Sequence, residues 1–115
     1  MKNNKEVQYI DYILRDRASS YGSFKDNCEL SRKLKELVRS KLILLPPDDF
    51  YIIEALDMIL HKISRIVNGN SKHRDCWLDI IGYSELVLRE IEKEIINRNA
   101  RQFQNIDLVA NYLKN

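Results

Sequence analysis

The chain has 115 residues, enough for one domain with a single real core and too short for two. Nineteen basic residues against seventeen acidic ones leave a net charge of +2, and the basic residues are scattered rather than gathered in a stripe, which argues against a dedicated nucleic-acid binder. No apolar stretch approaches the ~20 residues of a membrane span, and the first residues lack the apolar centre of a signal peptide, so a cytoplasmic protein with no membrane partner is expected.

Only three glycines and two prolines occur, and apolar residues between them recur at three- and four-residue spacing, so the expected class is all-α. The first helix is expected over residues 5–17, with Val7, Ile10, Ile13 and Leu14 on its buried face. Ser19, Ser20 and Gly22 then break it. A second helix follows over 24–39, burying Leu30, Leu34, Leu37 and Val38. The connector from Leu42 contains Pro46 and Pro47, which exclude helix just before them, and Asp48, a good N-cap for the next element.

The third helix, over 49–68, is the most regular. Ile52, Ile53, Leu56, Ile59, Leu60, Ile63, Ile66 and Val67 form one apolar arc, and Gly69 is suited to the left-handed conformation that ends helices. A fourth helix is expected over 74–97, with Trp77, Ile80, Ile81, Ser84, Leu88 and Ile91 as its core face. A last short helix over 107–113 would be capped by Asn105 or Asp107. Cys28 and Cys76 have no second cysteine at metal- or redox-motif spacing and are expected as free thiols without catalytic roles.

At about 100° per residue, Glu54, Asp57, His61 and Arg65 fall together opposite the apolar arc of the third helix. On the fourth helix Asp75 and Asp79 lie one turn apart, opposite its core face. In an antiparallel hairpin these four carboxylates could converge, and hard cations such as Mg²⁺ take such oxygen ligands together with substrate phosphates. The same pattern also describes an ordinary solvated face with weak pairing between neighbours such as Asp57 and His61. Gly82, inside the fourth helix, costs roughly 1 kcal/mol relative to alanine, which points to close approach of a ligand or another backbone. Leu78 and Leu86 interrupt the polar side and suggest an oligomer contact.

Three runs carry a family likeness. They are Tyr21-Gly22-Ser23-Phe24-Lys25-Asp26-Asn27; Glu54-Ala55-Leu56-Asp57-Met58 leading to Lys62-Ile63-Ser64-Arg65; and His73-Arg74-Asp75-Cys76-Trp77-Leu78-Asp79-Ile80-Ile81-Gly82-Tyr83. Over roughly residues 20–90 the chain resembles small phage and prophage proteins related to the MazG-like all-α nucleoside triphosphate pyrophosphohydrolases. The resemblance implies a four-helix MazG-like bundle with the short C-terminal helix appended, and a homodimer or homotetramer. It also implies Mg²⁺-dependent (or Mn²⁺-dependent) conversion of a nucleoside triphosphate to monophosphate and pyrophosphate. In that reading Glu54, Asp57, Asp75 and Asp79 are the metal ligands, and Asp75 and Asp79 also act in catalysis. Asn27, Lys62, Arg65, His73 and Tyr83 bind the nucleotide. The chain departs from the family pattern at Cys76, where an acid is expected, so Asp75 serves from one residue earlier. Two other functions fit the residues: a non-catalytic protein that sequesters a nucleotide, and a partner-binding helical bundle.

Overall fold

The structure, a computed structural model, describes residues 3–42 and 45–114. It is all-α: among the described residues there are four α-helices and no strand. They are α1 (Asn4–Tyr21), α2 (Phe24–Arg39), α3 (Phe50–Asn68) and α4 (Arg74–Lys114), with a 3₁₀ turn, Pro47–Asp49, leading into α3. The connector residues Ile43 and Leu44 lie outside the described set. Contacts divide the chain into two units, Met1–Tyr83 and Ser84–Asn115.

In the first unit α1 starts on a capping box, in which the Asn3 side chain accepts from the Glu6 amide at 2.8 Å while the Glu6 carboxylate accepts from the Asn3 amide at 3.2 Å. The helix runs one turn past its expected end. Ser19 and Ser20 do not stop it, because a serine hydroxyl can bond back to the preceding turn, as Ser19 does to the Asp16 carbonyl at 2.7 Å. Gly22 is the stop, with φ 82°. Ser23 then caps α2 by accepting from the Asp26 amide at 3.1 Å. At α3 the cap falls one residue later than expected, on Asp49, whose side chain makes no capping bond; Asp48 belongs to the 3₁₀ turn, with Pro47 supplying its fixed φ.

Two glycines interlock the α1–α2 turn with the α3–α4 loop. A Cβ on Gly22 would lie 2.3 Å from the Asn68 carbonyl oxygen, and one on Gly69 would lie 2.4 Å from the backbone of Tyr21. The Asn70 amide donates to the Ser20 carbonyl at 2.8 Å across the same junction. Gly69 therefore serves close approach and not the left-handed cap expected of it, its φ being −128°. Asn27, 5% exposed, clamps the junction from α2. Its Nδ2 donates to the Tyr21 carbonyl at 2.8 Å, and its Oδ1 accepts from Asn68 Nδ2 at 3.1 Å.

The core of this unit is small and partly polar. Cys76, Ser64, Ser31, Asn27, Ile66 and Ala55 are the buried residues. The apolar arc of α3 is half-buried apart from Ile66, which is buried, and Val67, which is exposed. Trp77, expected in the core, is 50% exposed and held instead by its indole N–H donating to the Ser71 carbonyl at 2.8 Å. Val7, Ile10, Leu14, Leu37, Ile81 and Leu88 are likewise exposed. Gly82 meets nothing within 4 Å of where a Cβ would stand, so no backbone approaches it among the described residues.

The second unit is the remainder of α4. The expected stop at Asn97 and separate helix over 107–113 are replaced by one uninterrupted helix to Lys114. Asparagine costs a helix well under 1 kcal/mol per residue, and with no glycine or proline between Asn97 and Asp107 nothing there ends it. Ion pairs one turn apart, Arg89–Glu85 at 3.1 Å and Lys93–Glu90 at 2.9 Å, line its polar side. Ile95, Ile96, Phe103, Ile106, Val109 and Leu113 are all exposed.

Candidate functional site

The row Glu54, Asp57, His61, Arg65 on α3 is open to solvent only at Glu54, the other three being half-buried. The α2 helix lies along it, and its Arg39 donates to the Asp57 carboxylate, whose side chain is only 16% exposed. Farther along α3, Lys62 reaches Asp79 on α4 at 2.8 Å. The Lys62 side chain is 13% exposed, and a largely covered lysine of this kind is costly without a counter-charge. Two of the four expected metal ligands are thus held by cations of the chain itself. Glu54 and Asp75 are exposed. Among the described residues no group of three or more His, Cys, Asp or Glu side chains stands close enough to share a metal ion. A Mg²⁺ ion taken by these acids would have to replace Arg39 and Lys62 as their counter-charges.

What the fold does bring together is a set of cations. A cavity of about 440 Å³ opens between α1, α2 and α3, lined by Leu14, Arg17, Ala18, Tyr21, Gly22, Phe24, Asn27, Cys28, His61 and Arg65. The Arg65 guanidinium lies over the Tyr21 ring, 4.6 Å from its centroid. The Tyr21 ring also meets His73, edge to face at 4.8 Å between centroids. Tyr21 is fixed by the Gly22–Asn68 junction, so the backbone interlock sets where Arg65 is held. Phe24 stands at the cavity, 83% exposed. No acidic residue is among the described lining.

His61 is the half-buried centre of this region. Burial first, and then the charges of Arg65, Lys35 and Lys62, hold its imidazole below the usual histidine range, so it is neutral near pH 7. Those three cations approach it from both α2 and α3. Cys76 is 1% exposed, and burial pushes its thiol above the usual cysteine range, which keeps it protonated and unreactive.

No family model, curated protein or solved structure matches the chain. The site therefore rests on its own geometry. Of the five residues expected to bind nucleotide, Asn27 and Arg65 line the cavity and His73 adjoins it through Tyr21. The Asn27 amide is engaged at both ends by protein partners, so it fixes the corner of the cavity. Buried His73 Nδ1 has no hydrogen-bond partner among the described residues. Lys62 is committed to Asp79, and Tyr83 is half-buried on α4. Arg17, Phe24, His61 and Lys35 were not singled out as ligand-binding residues in the sequence, because each is ordinary on its own helix and gains meaning only when α1 and α2 are laid against α3.

Proposed function

We propose that this protein binds a nucleotide in the α1–α2–α3 cavity, with phosphate oxygens at Arg17 and Arg65 and the base against Phe24. The observation that carries this reading is the Arg65 guanidinium over Tyr21 in a largely apolar cavity whose described lining includes two arginines and two aromatic rings and no acid. Guanidinium groups match phosphate oxygens in geometry as well as charge. An exposed aromatic face stacks on a base of any identity, worth about 1–3 kcal/mol. The sequence resemblance to nucleotide pyrophosphohydrolases points to the same class of ligand.

A second reading, Mg²⁺-dependent pyrophosphohydrolysis, draws on the sequence resemblance and on the Asp57 and Asp79 carboxylates, each of which holds a cation of the chain that a metal ion would replace. One experiment separates the two. The protein is incubated with a panel of nucleoside triphosphates and Mg²⁺ or Mn²⁺, while binding is followed by titration calorimetry and products by chromatography. Saturable binding without product supports the sequestering protein. Monophosphate plus pyrophosphate, lost in Asp79→Ala, supports the enzyme. Absence of both leaves a partner-binding bundle.

We also read the chain as a homo-oligomer, dimer or tetramer. The second unit is one helix with a series of exposed apolar side chains, and an isolated helix gains little from its own hydrogen bonds. Its first part, with Glu85, Glu90, Glu92 and Glu94 against Arg89 and Lys93, is acidic on balance, whereas Arg98, Arg101 and Lys114 against Asp107 make the rest basic. Two copies laid antiparallel would set each acidic part on a basic one.

A further inference from the structure

A second hollow of about 500 Å³ lies between α2 and α3, on the far side of His61 and Cys28 from the first, and shares those two residues with it. Its remaining lining is Ser31, Arg32, Lys35, Glu36 and Arg39. Arg32 is paired with Glu36 at 2.8 Å, and Arg39 with Asp57. Lys35, half-buried, has no ion-pair partner among the described residues. The hollow thus holds one uncompensated cation.

Ser31 supplies the independent observation. It is 4% exposed, and its hydroxyl has no hydrogen-bond partner among the described residues. A serine inside a helix usually disposes of its hydroxyl by donating to the carbonyl four residues earlier. Ser64, on the facing helix, does so, to the Leu60 carbonyl at 3.1 Å. Ser31 does not. A buried hydroxyl left unpaired is unfavourable, and each one in a native protein calls for a partner such as a water, an ion or a ligand. A hydroxyl, an ammonium and a neutral imidazole around one hollow form a donor set for a phosphoryl group.

We propose that this second hollow receives a further phosphoryl group of the ligand bound in the first, making the protein selective for nucleoside di- and triphosphates over monophosphates. The proposal rests on the nucleotide reading above, but its site can be tested apart from it. Ser31 donates its hydroxyl to a phosphoryl oxygen, Lys35 supplies the charge, and His61 stands between the two hollows. Arg32 and Arg39 stay with their carboxylates and hold the walls. A negative group beside His61 favours its protonated form, so binding draws the imidazole back up toward its ordinary range.

The test is a titration of the full-length protein with adenosine mono-, di- and triphosphate and with inorganic tripolyphosphate, using wild type, Ser31→Ala and Lys35→Gln. Ser31→Ala removes an unpaired hydroxyl and so keeps the fold, which a melting curve checks. Wild type binds the di- and triphosphate about tenfold or more tightly than the monophosphate, the scale of one charge-assisted hydrogen bond. Each variant brings the three nucleotides toward one affinity. Tripolyphosphate that binds wild type but not the variants, with no nucleotide binding, supports the groove and overturns the nucleotide reading. Equal affinity for the three nucleotides in wild type, or a preference unchanged in both variants, overturns the groove while leaving the nucleotide reading intact. No binding by any ligand overturns both.

Discussion

Substituting Gly22 by alanine should be among the most damaging single changes in the first unit, although the residue lies in a surface turn. The backbone there has φ 82° and ψ −170°, a region that side-chain-bearing residues occupy at a cost of about 1–3 kcal/mol. The new methyl carbon would also stand 2.3 Å from the Asn68 carbonyl oxygen, so the end of α3 must retreat. That retreat loosens the Asn68–Asn27 and Asn70–Ser20 hydrogen bonds, each worth about 1 kcal/mol. The sum is about 3–5 kcal/mol, a large share of the ~5–15 kcal/mol typical of a whole domain. At about 4–8 °C per kcal/mol for a unit of this size, the melting temperature should fall by at least about 12 °C. Gly82→Ala is the control: its Cβ meets open space in a helix interior, so alanine should stabilise by about 0.5–1 kcal/mol. Thermal melts followed by circular dichroism measure both. A Gly22→Ala melt within about 3 °C of wild type would refute the interlock.

Asn27→Ala removes both partners of the clamp and leaves the Tyr21 carbonyl and the Asn68 amide to find water, so urea unfolding should show a loss of about 2–3 kcal/mol. Because His61 is held below its ordinary range in the fold, its contribution to stability is full above pH ~6.5 and is lost as the pH falls from there through the lower folded value. Urea midpoints between pH 7.5 and 5 should therefore decline for wild type and decline less for His61→Gln. The same linkage makes phosphate ligands bind more tightly as the pH falls over that window. In the second unit, Ile95→Glu with Phe103→Glu should shift the species seen by size-exclusion chromatography with light scattering to monomer. A wild-type chain already monomeric at high concentration would defeat the self-association reading.

The helices themselves were legible because the 3.6-residue spacing of Ile52 through Ile66 or of Leu30 through Val38 has no strand alternative. Helix ends were less legible. Ser19, Ser20 and Asn97 have the composition of breakers, yet the helices run through all three, and α1 ends at Gly22, whose backbone leaves the helical region. The acidic row of α3 shows where a sequence stops short. By spacing alone Glu54, Asp57, His61 and Arg65 read more readily as a solvated face than as part of a metal site, because nothing along α3 reveals that α2 lies across it with Arg39 against Asp57. The corresponding signal on α2 was present but faint. Asn27, Ser31 and Lys35 recur every fourth residue beside the leucine arc, a polar row that runs inward instead of out to solvent. Trp77 misled in the other direction: its size suggests a core, whereas its N–H is spent on pinning the α3–α4 loop.

The proposed phosphate site centres on His61, between Arg65 of α3 and Lys35 of α2. The most direct measurement is the His61 pKa, followed by its ring-proton NMR signals across a pH titration, without and with a saturating nucleoside triphosphate. Free His61 should titrate below the usual histidine range, and its pKa should rise when the triphosphate is present. A His61 titration unmoved by the ligand would contradict the phosphate site.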